Sequence, residues 1–167
     1  MIDTQEAFIV WLRMTLLGDQ SLSNKMDGLY STWAKKDAPF PYVVYRLDLN
    51  NTTPNRVITE GTLYIDIWDY NQLERDTLRI RKDIIRLLDT RLVKAKEIEQ
   101  YFLRPTQIVE EEQTVISSAR INFENDAWVV EDTQNIWHRS MNFSVRMDRM
   151  AELRDISNRD QILWDLS

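Results

Sequence analysis

The chain contains no cysteine, one histidine and three glycines in 167 residues, and each scarcity removes a class of function. Without cysteine there is no disulfide, no thiolate metal ligand and no thiol nucleophile. The one imidazole, His138, is flanked by Trp137 and Arg139 and has no local signature of a histidine zinc site or a Ser/His/Asp triad. It reads as a structural or exposed histidine. Gly18, Gly28 and Gly61 lie far apart, so neither a phosphate loop nor a dinucleotide fingerprint can be built from them. Apolar runs fall well short of the roughly 18 residues of a membrane span. The first stretch, MIDTQEAFIVWLRMTLLGD, has Asp3 and Glu6 where a signal peptide is basic. The chain is therefore read as soluble, with no reason to place it outside the cytoplasm.

Positive charge is also in short supply. Lys and Arg number 21 against 27 Asp and Glu, a formal net charge of −6, which opposes a surface that wraps phosphates. One local exception is basic: Arg75, Arg79, Arg81, Lys82, Arg86 and Arg91. Glu74, Asp76, Asp83 and Asp89 interleave with them, so a solvated helix face with i to i+4 pairs is expected there.

Hydrophobic residues, by contrast, make up 43% of the chain. That supplies one core at this length, whereas two domains would each be small. The clearest patterns lie between Arg56 and Leu92. From Thr62 to Trp68 the residues alternate, with Leu63, Ile65 and Ile67 on one face and Thr62, Tyr64, Asp66 and Trp68 on the other, the period of a half-buried strand. Asn71 with Glu74 three residues on predicts a capping box. The helix that follows places Leu73, Thr77, Ile80, Ile84, Leu87 and Leu88 on one stripe.

The rest of the chain fits around this pair. A first helix is expected over Thr4 to Leu17, with Phe8, Trp11, Leu12 and Thr15 or Leu16 inward, Thr4 as cap and Gly18 at its end. Asp19 to Lys36 reads as a loop or short irregular segment pinned by Leu22, Met26, Leu29, Tyr30 and Trp33. Pro39 and Pro41 predict an extended entry into a strand at Tyr42 to Leu49, with Val43, Tyr45, Leu47 and Leu49 on one face. The turn signal NNTTPN makes it the hairpin partner of the central strand. Val93 to Gln100 is helix-compatible, and Pro105 marks a break. Glu110, Glu111 and Glu112 read as an exposed loop patch, since consecutive carboxylates diverge and no further ligand cluster accompanies them. Ala119 to Phe123 and Trp128 to Val130 read as two short strands joined by a turn at Asn125 to Ala127. Arg139 to Asp148 is a clear strand with Met141, Phe143, Val145 and Met147 on one face. A short helix capped by Ser157, with Ile162, Leu163, Trp164 and Leu166, is expected in the tail.

The expected fold is α+β: a single domain over residues 1–149, with an antiparallel sheet of about four strands flanked by helices, and a C-terminal tail over 150–167. Its second sheet face would carry Tyr42, Tyr64 and Trp68. Either the segment from Gln107 to Val130 or the tail covers these within the chain, or they are subunit contacts, for which Tyr and Trp are well suited. Asp48, Glu60, Asp66 and Asp69 cluster on or near the hairpin and in principle permit metal-dependent hydrolysis. A surface ladder from Asp66 to Arg46 or Arg146 explains them more simply.

The order of a helix, the strand PFPYVVYRLD, the strand EGTLYIDIWDY, a long helix and the late strand RSMNFSVRMD resembles the tail terminator (tail completion, tail-to-head joining) family of tailed bacteriophages. The matching positions are Pro41, Tyr42 and Val43, then Leu63 to Trp68 with Ile80 to Leu88, then Phe143 and Val145. Glu97 to Ser118 and the tail have no counterpart. The resemblance implies a virion protein, assembled in the host cytoplasm, that forms a hexameric ring on the tail tube. Such a ring stops tube polymerisation and offers the head-docking surface, with the tube protein and a head-completion or connector protein as partners. DNA would be passing cargo, since six copies carry roughly −36 and repel a duplex. The expected contact residues are Tyr42, Arg46, Tyr64, Asp66, Trp68 and Arg146. No catalytic, metal or cofactor-binding residue is assigned, and no membrane is involved. The alternatives are another neck adaptor, a monomeric adaptor domain with its aromatic face covered, or a carboxylate-dependent hydrolase or nuclease using Asp48, Glu60 and Asp66.

Overall fold

The strand that alternates most cleanly in sequence is the spine of the sheet. The computed structural model describes residues 4–50, 58–99 and 116–149, and in it β3 (Ile58–Tyr70) pairs with a neighbour on both sides along nearly its whole length. Around it the order is α1 (Thr4–Gly18), α2 (Gln20–Ser23), β1 (Gly28–Ser31) and β2 (Tyr42–Asn50) before it. After it come α3 (Arg75–Leu88), β4 (Arg91–Lys94), α4 (Ala95–Glu99), β5 (Ile116–Val129) and β6 (Ile136–Arg149). The architecture is α+β, with a six-stranded sheet in the order β1-β2-β3-β6-β5-β4. Only β1 with β2 is parallel; the other pairs are antiparallel.

One sheet face holds the core. Val43, Tyr45 and Leu47 on β2, Leu63, Ile65 and Ile67 on β3, and Met141, Phe143, Val145 and Met147 on β6 are buried, most of them completely. Phe8, Trp11, Leu12 and Leu16 of α1 and Thr77, Ile80, Ile84 and Leu88 of α3 are buried as well, and the apolar ones join the same cluster. Each fully buried Leu or Ile contributes roughly 1.5–3 kcal/mol. Gly61 lies opposite Leu49 in the register. A methyl group there would overlap the Asp48 carbonyl oxygen and come within 2.9 Å of Leu49 Cα, so the hairpin strands approach as closely as they do because no side chain stands between them.

Two carboxylates, Asp83 buried and Asp126 half-buried, join elements distant in sequence. Asp83 of α3 accepts hydrogen bonds from Lys25 Nζ at 2.5 Å and Ser21 Oγ at 3.0 Å, which ties α3 to the segment around α2. Burial pushes its carboxyl up, but the Lys25 and Ser21 hydrogen bonds and the charges of Lys25 and Arg86 outweigh this and hold it below the usual range. Asp126 of β5 accepts from Arg139 Nη1 at 2.5 Å and from Arg81 of α3. Arg139 also stacks on Trp128, with its guanidinium carbon 3.8 Å from the ring centre.

Several local expectations change. The sheet gains strands because β1 and β4, at four residues each, are too short for an alternation to stand out. The segment from Asp19 to Lys36 contains α2, capped by the Asp19 side chain on Leu22 N–H, and the edge strand β1. Leu22, Met26 and Leu29 are buried as anchors, whereas Trp33 is 83% exposed. The capping box at Asn71 does not form. Asn71 Oδ1 accepts from the next residue, Gln72 N–H, and α3 starts at Arg75. Leu73 therefore falls before the helix and is exposed. Val93 begins the α4 region from within β4. The turn expected at Asn125 to Ala127 is absent: β5 runs through it as one strand, with a register shift between Phe123 and Asn125 that interrupts the alternation. Pro105, Glu110 to Glu112 and the tail with Ser157 and Trp164 lie outside the described residues.

Candidate interaction face

The period of two that sends Leu63, Ile65 and Ile67 into the core sends Tyr64, Asp66 and Trp68 to the opposite face of the same strand. The pairing then assembles rows across the sheet. Tyr42, Trp68 and His138 lie in one row, Val44, Asp66 and Ser140 in the next, and Arg46, Tyr64 and Asn142 in a third. No described helix lies over these rows, because α1 and α3 both contribute to the core cluster of the other face. Residues 116–129 extend the sheet edgewise as β5 instead of covering it.

The first row is aromatic and continuous. Tyr30 meets Tyr42 edge-on at 5.9 Å, Tyr42 stacks with Trp68 at 6.2 Å, and Trp68 stacks with His138 at 3.7 Å between ring centres. Phe40 extends it, 5.1 Å from Tyr42 and 6.2 Å from Tyr70. Burial pushes the Tyr42 hydroxyl above its ordinary value, helped by the negative charge of Glu131.

His138 ends the row between two carboxylates. Its Nε2 lies 3.1 Å from Asp66 Oδ1 and its Nδ1 2.8 Å from Glu131 Oε1. The Asp66 contact is diagonal, since Asp66 faces Ser140 directly and His138 faces Trp68. Burial draws the imidazole's pKa down, but the hydrogen bonds and charges of Asp66 and Glu131 overcome this and raise it. Burial likewise pushes the Asp66 carboxyl up, and hydrogen bonds from His138 and Ser140 with the charges of His138 and Arg46 bring it below its ordinary value. As an imidazolium, His138 donates to both acids at once.

The other expected residues are all on this face but make separate contacts. Arg46 pairs with Asp48 of its own strand at 3.3 Å and lies 4.6 Å over the Tyr64 ring. Arg146 sits 3.8 Å from Glu60 and 3.6 Å from Asp148. The partner of Asp66 is thus a histidine, where an arginine ladder was expected. Asp69 faces the core side, 3% exposed. Glu60 and Asp66 are six positions apart on one strand, roughly 20 Å, too far to share a metal ion. Among the described residues no group of three or more His, Asp or Glu side chains is arranged to hold a metal ion.

Sequence reasoning missed His138 and Glu131 in this row. The strand was expected to start at Arg139, three residues after its start at Ile136. Extending the alternation of Met141 and Phe143 back by one turn of the pleat puts His138 on the outer face, where it meets Trp68.

Among the described residues no helix is long and apolar enough to cross a membrane. Neither protein-family models nor curated proteins match the chain. Among solved structures, a chain of the virion of a native gene transfer agent particle superposes with a TM-score of 0.57 at 10% identity, covering 82% of this chain and 91% of that one. The gp17 protein of bacteriophage SPP1 aligns over 86% of this chain and 88% of its own at 16% identity, with a TM-score of 0.42. The first superposition is that of a common chain fold; the second is too loose for the same statement.

Proposed function

We propose that this chain is a structural protein of a phage or phage-like particle, acting as a tail terminator. Six copies close into a ring on the end of the tail tube, stop its polymerisation and present the surface on which the head docks. The mechanism is steric and interfacial, and no covalent chemistry is involved. The observation that carries the reading is a fold shared, over 82% of the chain, with a chain of a virion. The outer sheet face, over which no described helix lies, supports it, since its aromatic row is suited to contacts that are apolar at one end and wet at the other.

In this reading Tyr42, Arg46, Tyr64, Asp66, Trp68 and Arg146 supply contacts to neighbouring subunits or to the tube. The protein resides in the virion at the head–tail interface. DNA passes through the ring as cargo, repelled by a wall that is acidic on balance. Polymerising the cognate tube protein with and without this chain tests the role: terminated tubes of bounded length with a ring at one end are expected, and tubes of unchanged length distribution would refute it.

A further inference from the structure

The solvent side of α3 is built differently from the rest of the helix. Arg75, Leu78, Arg79 and Lys82 recur at helical spacing and lie opposite the buried Thr77, Ile80, Ile84 and Leu88. With Leu73 and Glu74 they line one shallow groove, in which Leu73 is 67% and Leu78 40% exposed. The other α3 cations are committed, Arg81 to Asp126 and Arg86 to Asp19 and Asp83. Arg75, Arg79 and Lys82 are exposed and make no ion pair among the described residues. In a chain of net charge −6, this leaves a positive strip flanked by two leucines. A phosphate backbone would use the cations and leave the leucines wet, whereas an acidic protein segment with adjacent apolar residues satisfies both.

The tip of the β5–β6 hairpin is such a segment. Val129 ends β5 and is 39% exposed, and Val130 after it is 94% exposed, more than any other large apolar side chain among the described residues. Two acids follow directly. Glu131 is held by His138, and Asp132 is exposed with no ion pair among the described residues. The tip is fixed in place, since Asn71 N–H donates to the Asn135 carbonyl and Trp137 Nε1 to the Asn71 carbonyl, both at 3.0 Å. These bonds set it against the turn that leads into Leu73, yet Val130 and Leu73 both stay open to solvent. The hairpin therefore does not fill its own groove, and each patch keeps an unmatched apolar surface beside an unmatched charge of opposite sign.

We infer that the hairpin tip of one copy seats on the α3 groove of another, Val130 against Leu73 and Leu78, Asp132 among Arg75, Arg79 and Lys82. The inference rests on the reading that copies of this chain assemble. It joins two different patches, the kind of contact that closes a ring when it repeats.

The absence of cysteine makes the test direct. Full-length chains carrying Val130→Cys alone and Leu78→Cys alone are mixed, assembled and oxidised, and the links are read by peptide mapping. The mixed disulfide should form in preference to either symmetric one, and Met14→Cys, similarly exposed on α1, should not substitute for Leu78→Cys. In parallel, Asp132→Lys and the pair Arg79→Glu with Lys82→Glu should each weaken self-association about tenfold. Mixing these two variants should restore it, because each then meets a partner of opposite sign. All the substituted side chains are exposed, so urea melts of the variants should match the wild type. Assembled particles without the mixed disulfide, or unmoved by either charge reversal, overturn this inference and leave the ring reading standing. A link that forms within a chain carrying both cysteines and not between chains makes the groove's occupant its own tip and overturns it. So does a short DNA duplex that binds in place of the second copy and is released by the Arg79 and Lys82 reversal. Mixed links confined to a species of two copies uphold the contact and overturn the ring. A chain that stays monomeric, alone and with the tube protein, overturns both readings.

Discussion

The imidazole of His138 lies flat on the indole of Trp68, ring centres 3.7 Å apart and planes 15° from parallel, while Asp66 and Glu131 hold its two nitrogens. This couples β6 to β3 and to Glu131, two residues past the end of β5. The stack buries most of the imidazole, with 12% of the side chain exposed, and the two acids favour its charged form.

A pH dependence follows. The folded pKa of His138 is raised, so its stabilisation is fully present below the unfolded value of about 6.5 and is lost as pH rises through the higher folded value. Asp66 has a lowered pKa, so its share is present above the ordinary carboxylate range near 4 and is lost as pH falls through the folded value. The titratable groups facing His138 are Asp66 and Glu131, with Trp68 on its ring face and the Arg46 charge felt through Asp66. Urea denaturation across pH 5 to 9 should show stability declining on the alkaline side. His138→Gln should remove that decline and cost about 1 kcal/mol at pH 6, since both acids remain partly exposed.

Asp83 offers a second electrostatic test. Its side chain is buried and holds Lys25 and Ser21. Asp83→Ala should destabilise by about 1–3 kcal/mol in urea melts at pH 7. The lowered pKa of Asp83 means that this contribution fades as pH falls through its folded value, so variant and wild type should converge in acid.

Asp69 should behave in the opposite way. It is buried, and its Oδ2 has no hydrogen-bond partner among the described residues. Burial raises its pKa above the usual range, partly countered by the Tyr70 N–H and reinforced by the charge of Asp76. The folded state therefore prefers the neutral acid, and Asp69→Asn should stabilise the protein at pH 7, with the advantage shrinking as pH falls through the raised folded value and gone below the ordinary carboxylate range. A destabilised Asn variant would mean that the buried oxygen has an ion or solvent partner.

On the proposed function, the two faces of β3 separate folding from assembly. Ile65→Ala removes a fully buried side chain and should cost about 2–5 kcal/mol. Tyr64→Ser, next to it on the outer face, loses mainly the Arg46 contact and should change monomer stability by about 1 kcal/mol or less. It should nonetheless weaken ring association. A large loss of thermal stability in the Tyr64 variant would place this residue in the folding core.

What was legible in the sequence was whatever repeats with a strong period. Leu63, Ile65 and Ile67 alternate without interruption, so the strand, its core face and the aromatic outer face followed together, as they did for Val43 to Leu47 and Met141 to Met147. α3 announced its stripe through Thr77, Ile80, Ile84 and Leu88. Its start was misread because Asn71 satisfies the neighbouring Gln72 N–H and leaves the cap to turn geometry. β1 was hidden because its few residues take their strand conformation from pairing with Tyr42 to Tyr45, a tertiary effect. β5 was split in two because the irregularity after Phe123 breaks the alternation. His138 escaped notice because its partners, Asp66 and Glu131, come from different elements, and only the register joins them.

The most direct test of the ring is the solution mass by light scattering over a concentration series, with negative-stain images of the largest species. A mass six times that of the 20.0 kDa chain and a closed six-membered ring with a central hole are predicted. A monomer at every concentration that also fails to cap purified tail tubes would contradict it.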